Sequence, residues 1–186
     1  MTVEHEKKQS KVVTAGIPVF ILLALLWLVF FTALDDDKTV IPSQRQDRVL
    51  PNFSAPLLLN PEQSVSSTRL RGEYRLLNVW GSWCPSCYAE HPFFMELQQE
   101  GVKIVGINYK DTREKGIQFL KQLGDPYEFT FFDPKGRIAI EMGITAAPET
   151  FLIDKEGIVR AHRIGAMDRD IWQQQFLPII NEEQTP

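Results

Sequence analysis

Two cysteines separated by two residues, in Trp83-Cys84-Pro85-Ser86-Cys87, are the only cysteines of the chain. A thiol pair at that spacing can close and reopen a disulfide, exchanging two electrons with the cysteines of another protein. The pair follows the apolar run Leu76-Leu77-Asn78-Val79-Trp80 and a Gly81-Ser82 turn, with Pro85 inside it. Proline suits the first position of a helix, because the N–H it lacks would have no partner there. This order predicts a strand ending at Trp80 and a helix opening at Pro85, with Cys84 at or beside the N-cap. The free N–H groups and dipole of that helix end would stabilise a thiolate on Cys84, lowering its pKa and making it the nucleophile. Cys87, one helical turn deeper, would be the resolving thiol.

Three other uses of the pair fare worse. A zinc site needs two more ligands, and only His5, His91 and His162 are on offer, with no second close-spaced pair. Covalent haem attachment needs histidine directly after the second cysteine, where Tyr88 stands. A purely structural disulfide across two residues closes almost no loop and gains little chain entropy. Redox chemistry is the use the residues favour, and it needs neither cofactor nor metal.

The elements that position this pair have to come from 186 residues, enough for a membrane anchor and one domain. A net charge of -4 with 24% charged and 44% hydrophobic residues suits a globular body and gives no basic stripe for nucleic acid. Val12 to Leu34 contains no charge, is long enough to span a bilayer, and lacks the small-residue pair of a signal-peptide cleavage site. Lys8 and Lys11 before it, and Asp35-Asp36-Asp37 after it, favour an N-terminus inside the cell. The expected organisation is a cytoplasmic tail at 1–11, a transmembrane helix at 12–34 and a linker at 35–51. A domain at 52–182 and a flexible tail at 183–186 complete it.

Within the domain, Phe53 and Leu57-Leu58-Leu59 suggest an edge strand and Ser64 to Thr68 a weaker one. Arg75 to Trp80 reads as a buried central strand and Pro85 to about Glu100 as the dithiol helix, interrupted by Pro92 and ended by Gly101. Val102 to Tyr109 is a second buried strand, and Asp111 to Gly124 a helix turning Ile117, Leu120 and Leu123 inward. Phe129 to Phe132 is another strand, followed by a turn and a short helix at Arg137 to Met142. Glu149 to Asp154 and Ile158 to His162 form a hairpin, and Asp168 caps a last helix carrying Ile171, Trp172 and Phe176. Asn181 onward reads as a frayed tail. The β-α-β-α alternation predicts an α/β fold.

Trp83-Cys84-Pro85-Ser86-Cys87 after a strand, Pro92 in the helix, and Ala147-Pro148-Glu149-Thr150-Phe151 before a hairpin resemble a thioredoxin-like fold, a mixed central sheet flanked by helices, here behind a single N-terminal transmembrane helix. Asn78-Val79-Trp80, Ala89-Glu90-His91, Gly106-Ile107-Asn108-Tyr109-Lys110-Asp111 and the extension to Leu152-Ile153-Asp154 narrow the resemblance to the membrane-anchored cytochrome c maturation thioredoxins, the CcmG/DsbE family. That resemblance implies an inner-membrane protein with a periplasmic domain that reduces disulfides of apocytochrome c, or of its thiol partner. A transmembrane disulfide reductase would be its electron donor. It also implies a cis Ala147-Pro148 bond facing Cys84. The family commonly has glycine where this chain has Ala146, so a positive φ there would cost about 1 kcal/mol.

Glu90, one turn after Cys87, points inward as a proton acceptor for the resolving thiol or, in the bland case, is a solvated helix residue. Glu149 is a second carboxylate beside the dithiol or an edge-strand surface charge. Trp83 is assigned substrate contact only, and His91 and His162 no role. Two carboxylates near the sulfurs would favour a reducing protein and disfavour acidic substrates. The alternatives to a dedicated reductant are a general membrane-tethered thioredoxin or peroxidase, and a non-enzymatic holder of apocytochrome segments.

Overall fold

The computed structural model describes residues 18, 20–27 and 47–182. Most of the expected span at 12–34 lies outside the described residues, as do 35–46 and the tail at 183–186. Residues 18 and 20–27 are helical and exposed, and among the described residues no helix is long and apolar enough to cross a membrane.

The central strand is where the apolar run predicts it, β3 at Arg75–Trp80, counted after a small antiparallel pair, β1 (Ser54–Pro56) and β2 (Ser64–Ser66). Ser67–Leu70 is a 3-10 turn, capped by the Ser66 side chain, so the expected strand to Thr68 stops two residues early. The dithiol helix α1 (Pro85–Gln99) leads to β4 (Ile104–Tyr109), α2 (Arg113–Leu123), β5 (Phe129–Asp133) and α3 (Arg137–Met142). β6 (Glu149–Ile153) and β7 (Val159–Ile164) form the hairpin, and the chain ends with α4 (Arg169–Ile171), a π-helical turn at Trp172–Phe176 and α5 (Leu177–Glu182). Asn181 is therefore helical, not frayed. Folded chain also reaches back before Asn52, since Asp47 N–H donates to Val159, Val49 bridges Ile158 and Leu50 is buried.

The five strands lie in the order β5-β4-β3-β6-β7, parallel between β3, β4 and β5 and antiparallel from β3 through β6 to β7. β3 is central and covered on both faces, which is why its sequence is a continuous apolar run rather than an alternation. Its alternate side chains serve two separate cores. Leu77 and Val79 join Val105, Ile107, Phe131 and Phe151 on one face. Leu76 and Trp80 join Phe94, Leu97, Phe119, Leu152 and both cysteines on the other.

On the cysteine face, Trp80 stacks between Phe119 and Tyr127, with ring centroids 4.9 and 5.7 Å away. The buried side of α2 is Gly116, Phe119 and Leu120. Leu123, expected inward, is 38% exposed, because the helix approaches the sheet through Gly116, with the Asn108 side chain directly beneath it.

Candidate active site

Cys84 is the N-cap of α1, and its sulfur accepts the Cys87 backbone N–H at 3.2 Å. The proline at the first helical position leaves that N–H as one of the few donors of the helix end, aimed at the first sulfur. The two cysteines form a disulfide, with Cα atoms 5.3 Å apart, and each is only 2% exposed. The turn before them is fastened from below. Asp111 accepts from Ser82 N–H at 2.7 Å and the Ser82 hydroxyl at 2.9 Å, as well as from the Asn108 side chain and Thr112 N–H. Trp83 is half exposed beside the pair, its ring N–H donating to the Tyr109 carbonyl at 3.1 Å.

Glu90 is not a solvated helix residue. It is 2% exposed, accepts from Asn78 Nδ2 at 3.0 Å on one oxygen, and from Met167 N–H at 2.9 Å on the other. Asn78 also donates to Thr150 Oγ1 and accepts from the buried Tyr127 hydroxyl at 2.8 Å, so the carboxyl ends a buried polar network that joins β3, β6 and Tyr127. Burial raises its pKa from 4.5 to about 7, against the lowering effect of those two hydrogen bonds. A group poised there can take a proton near neutrality and return it.

Glu149 is not a surface charge either, because β6 is an interior strand and the residue is fully buried. One oxygen accepts Thr145 N–H at 2.7 Å, Thr145 Oγ1 at 3.0 Å and Ala146 N–H at 2.9 Å. The other meets His162 Nε2 at 2.8 Å. A carboxylate only accepts, so Nε2 carries the hydrogen. Burial pushes this carboxyl up, but the bonds from His162, Ala146 and Thr145 together hold it below the ordinary glutamate value. Glu149 thereby ties down the loop that leads into the cis Ala147-Pro148 bond. Ala147 packs against the core that holds the cysteines. Ala146 does not adopt a positive φ, so the cost expected from the missing glycine does not arise.

The two glutamates also lie on opposite faces of the sheet. Glu90 accepts from Asn78, which also bonds Thr150 among the cysteine-face residues, whereas Glu149 and His162 belong with Phe151, whose ring stacks on His162 at 4.1 Å. The expectation that both carboxylates stand beside the sulfurs is corrected for Glu149, which faces the core away from the cysteines. His91 is buried with Nε2 3.0 Å from the Gly124 carbonyl, and burial lowers its pKa. Asn78, Thr145, His162 and Asp111 were not among the sequence candidates. Asn78 alone had a visible signal, a polar residue inside an apolar strand.

A nucleophile-bearing helix end fed by a central strand, a buried acid one turn on and a cis-proline loop define a thioredoxin-like thiol-disulfide oxidoreductase. The Redoxin family matches residues 44–175. The thiol:disulfide interchange protein DsbE of Allochromatium vinosum is 42% identical over 167 residues, 89% of this chain and 92% of that one. The DsbE proteins of Vibrio cholerae and Escherichia coli K12 are each 40% identical, over 93% and 88% of this chain and 95% and 91% of theirs. Among solved structures, a Chlorobium tepidum chain described as a DsbE is similar with a TM-score of 0.62 at 27% identity, covering 73% of this chain and 97% of that one. The chain belongs to the DsbE family of thiol:disulfide interchange proteins.

Proposed function

We propose that this oxidoreductase is a dedicated reductant in c-type cytochrome maturation, acting on disulfides of apocytochrome c or of its thiol partner. Cys84 thiolate attacks one sulfur of the substrate disulfide, forming a mixed disulfide and releasing the other substrate sulfur as a thiolate. Cys87, its proton passed to Glu90, then attacks Cys84 Sγ. The substrate leaves with two thiols, the protein keeps the Cys84–Cys87 disulfide, and two electrons have moved. Trp83 and Pro148 contact the substrate backbone, and Glu149 holds the Pro148 loop in place.

The observation that carries this reading is the Cys84 sulfur bonded to the helix-end N–H, with a buried acid whose pKa is about 7 one turn after Cys87. The uncharged stretch at 12–34 and its flanking lysines support a single-pass inner-membrane anchor with the domain in the periplasm. A transmembrane disulfide reductase would restore the dithiol.

Cys87→Ser tests the scheme, because a mixed disulfide through Cys84 can then form but not resolve. Apocytochrome c or its thiol partner should be trapped on Cys84 and released by reductant. Equal association with partner when both cysteines are replaced by serine would instead make the protein a holder.

A further inference from the structure

Beside the dithiol lies a cleft of about 630 Å³, of whose lining the scheme above uses Trp83 alone. Its near wall is Trp83 and Tyr88, the residues flanking the cysteine pair, 50% and 42% exposed. Its far wall carries two exposed cations, Lys110 and Lys115. Neither lysine has a carboxylate partner among the described residues, whereas the one acidic lining residue, Asp111, has both oxygens engaged by Ser82, Asn108 and Thr112.

The far wall is held in register with the thiols. Asp111 fastens it to Ser82, two residues before Cys84, and Trp83 donates to the carbonyl of Tyr109, whose ring lies 5.1 Å under the Lys110 ammonium. Lys110 itself is in the left-handed region at φ 47, held by its N–H donating to the Asp133 carbonyl at 3.0 Å. A non-glycine residue in that region costs energy and persists only where surrounding structure imposes it. Both glutamates near the site are buried and do not face this cleft. The lining therefore carries two lysines against one hydrogen-bonded carboxylate, a local excess of positive charge although the chain's net charge is -4.

We propose that this cleft selects the redox partner, taking a polypeptide segment that flanks the partner's reactive cysteine and carries acidic side chains. Apolar parts of the segment lie on Trp83 and Tyr88, and its carboxylates meet Lys110 and Lys115. This reverses the preference against acidic substrates that two carboxylates beside the sulfurs would have imposed. It rests on the dithiol reading and adds the chemistry of the partner to it.

The test uses the full chain, reduced, with synthetic Cys-x-x-Cys disulfide peptides whose flank carries three acidic, three neutral or three basic residues. Initial reduction rates are followed by thiol trapping and mass spectrometry. The acidic peptide should react about tenfold faster than the basic one at low salt, with the gap closing as ionic strength rises. Lys110→Glu with Lys115→Glu, both at exposed positions, should invert the order, and circular dichroism checks that the variant folds. Equal rates for acidic and basic peptides in the wild type, or an order unchanged in the double variant, overturns the proposal and leaves the dithiol reading standing. Reduction of none of the peptides overturns both. Rates blind to peptide charge, together with lysine-dependent sedimentation on phosphatidylglycerol vesicles, would assign the cations to a lipid surface and overturn it too.

Discussion

Each face of the central sheet holds a buried glutamate, and the two carboxyls are shifted in opposite directions. Glu90, on the cysteine face, accepts two hydrogen bonds and is pushed up to about 7 by desolvation. Glu149, on the other face, accepts four, and its carboxyl stays below its ordinary value although burial works against it. At Glu149 the donors together outweigh desolvation, and at Glu90 they do not. A carboxyl with few donors keeps its proton up to near neutrality, whereas one with four donors stays ionised above its lowered pKa and ties down the loop around it.

The largest test removes the anchor. Glu149→Ala strands the Thr145 and Ala146 N–H groups and the His162 ring without an acceptor in the interior, and should cost about 3–5 kcal/mol in urea unfolding. Because the folded pKa of Glu149 lies below the unfolded one, its contribution is present above about 4.5 and lost as pH falls through the folded value. The gap between wild type and variant should narrow in acid. A variant less than about 1 kcal/mol weaker would mean the four bonds are not a unit.

Glu90 should show the opposite slope. Its folded state keeps the proton longer than the unfolded chain, so stability falls as pH rises from 4.5 to about 7 and is level above that. Glu90→Gln removes this slope, shrinking the loss of stability between pH 5 and pH 8 by up to about 3 kcal/mol, at roughly 1.4 kcal/mol per pH unit. Glu149 is ionised throughout that window and does not obscure the result. Parallel pH profiles for wild type and variant would erase the contrast between the faces.

The smallest effect sharpens the anchored side. Ala146 has no positive φ to relieve, so Ala146→Gly should gain nothing and lose less than about 1 kcal/mol through added freedom of the unfolded chain. A clear increase in unfolding midpoint would show that the loop is strained after all.

Much of this was legible from local pattern. The apolar run before the cysteines, Pro85 and Gly101 set the central strand and the ends of the dithiol helix, because propensity and capping act over a few residues. Asp168 capped the last helix as expected, accepting from Ile171 N–H at 2.8 Å. Leu123 went the wrong way because the turn of α2 on the sheet is decided by Gly116 over Asn108, a contact between distant segments.

What the sequence by itself determined is the dithiol, its place at a helix N-terminus and the order of the elements around it. Those follow from residue type and spacing over distances of one or two turns. Only the tertiary structure decided what the glutamates are. β6 became an interior strand by pairing with both β3 and β7, which buried Glu149 and brought His162 to it. Met167 N–H reached Glu90 from 77 residues away, and Lys110 and Lys115 came to face Trp83 across one cleft. Charge and proton affinity depend on how many donors and how much water surround a group, and chain partners far apart in sequence supply both.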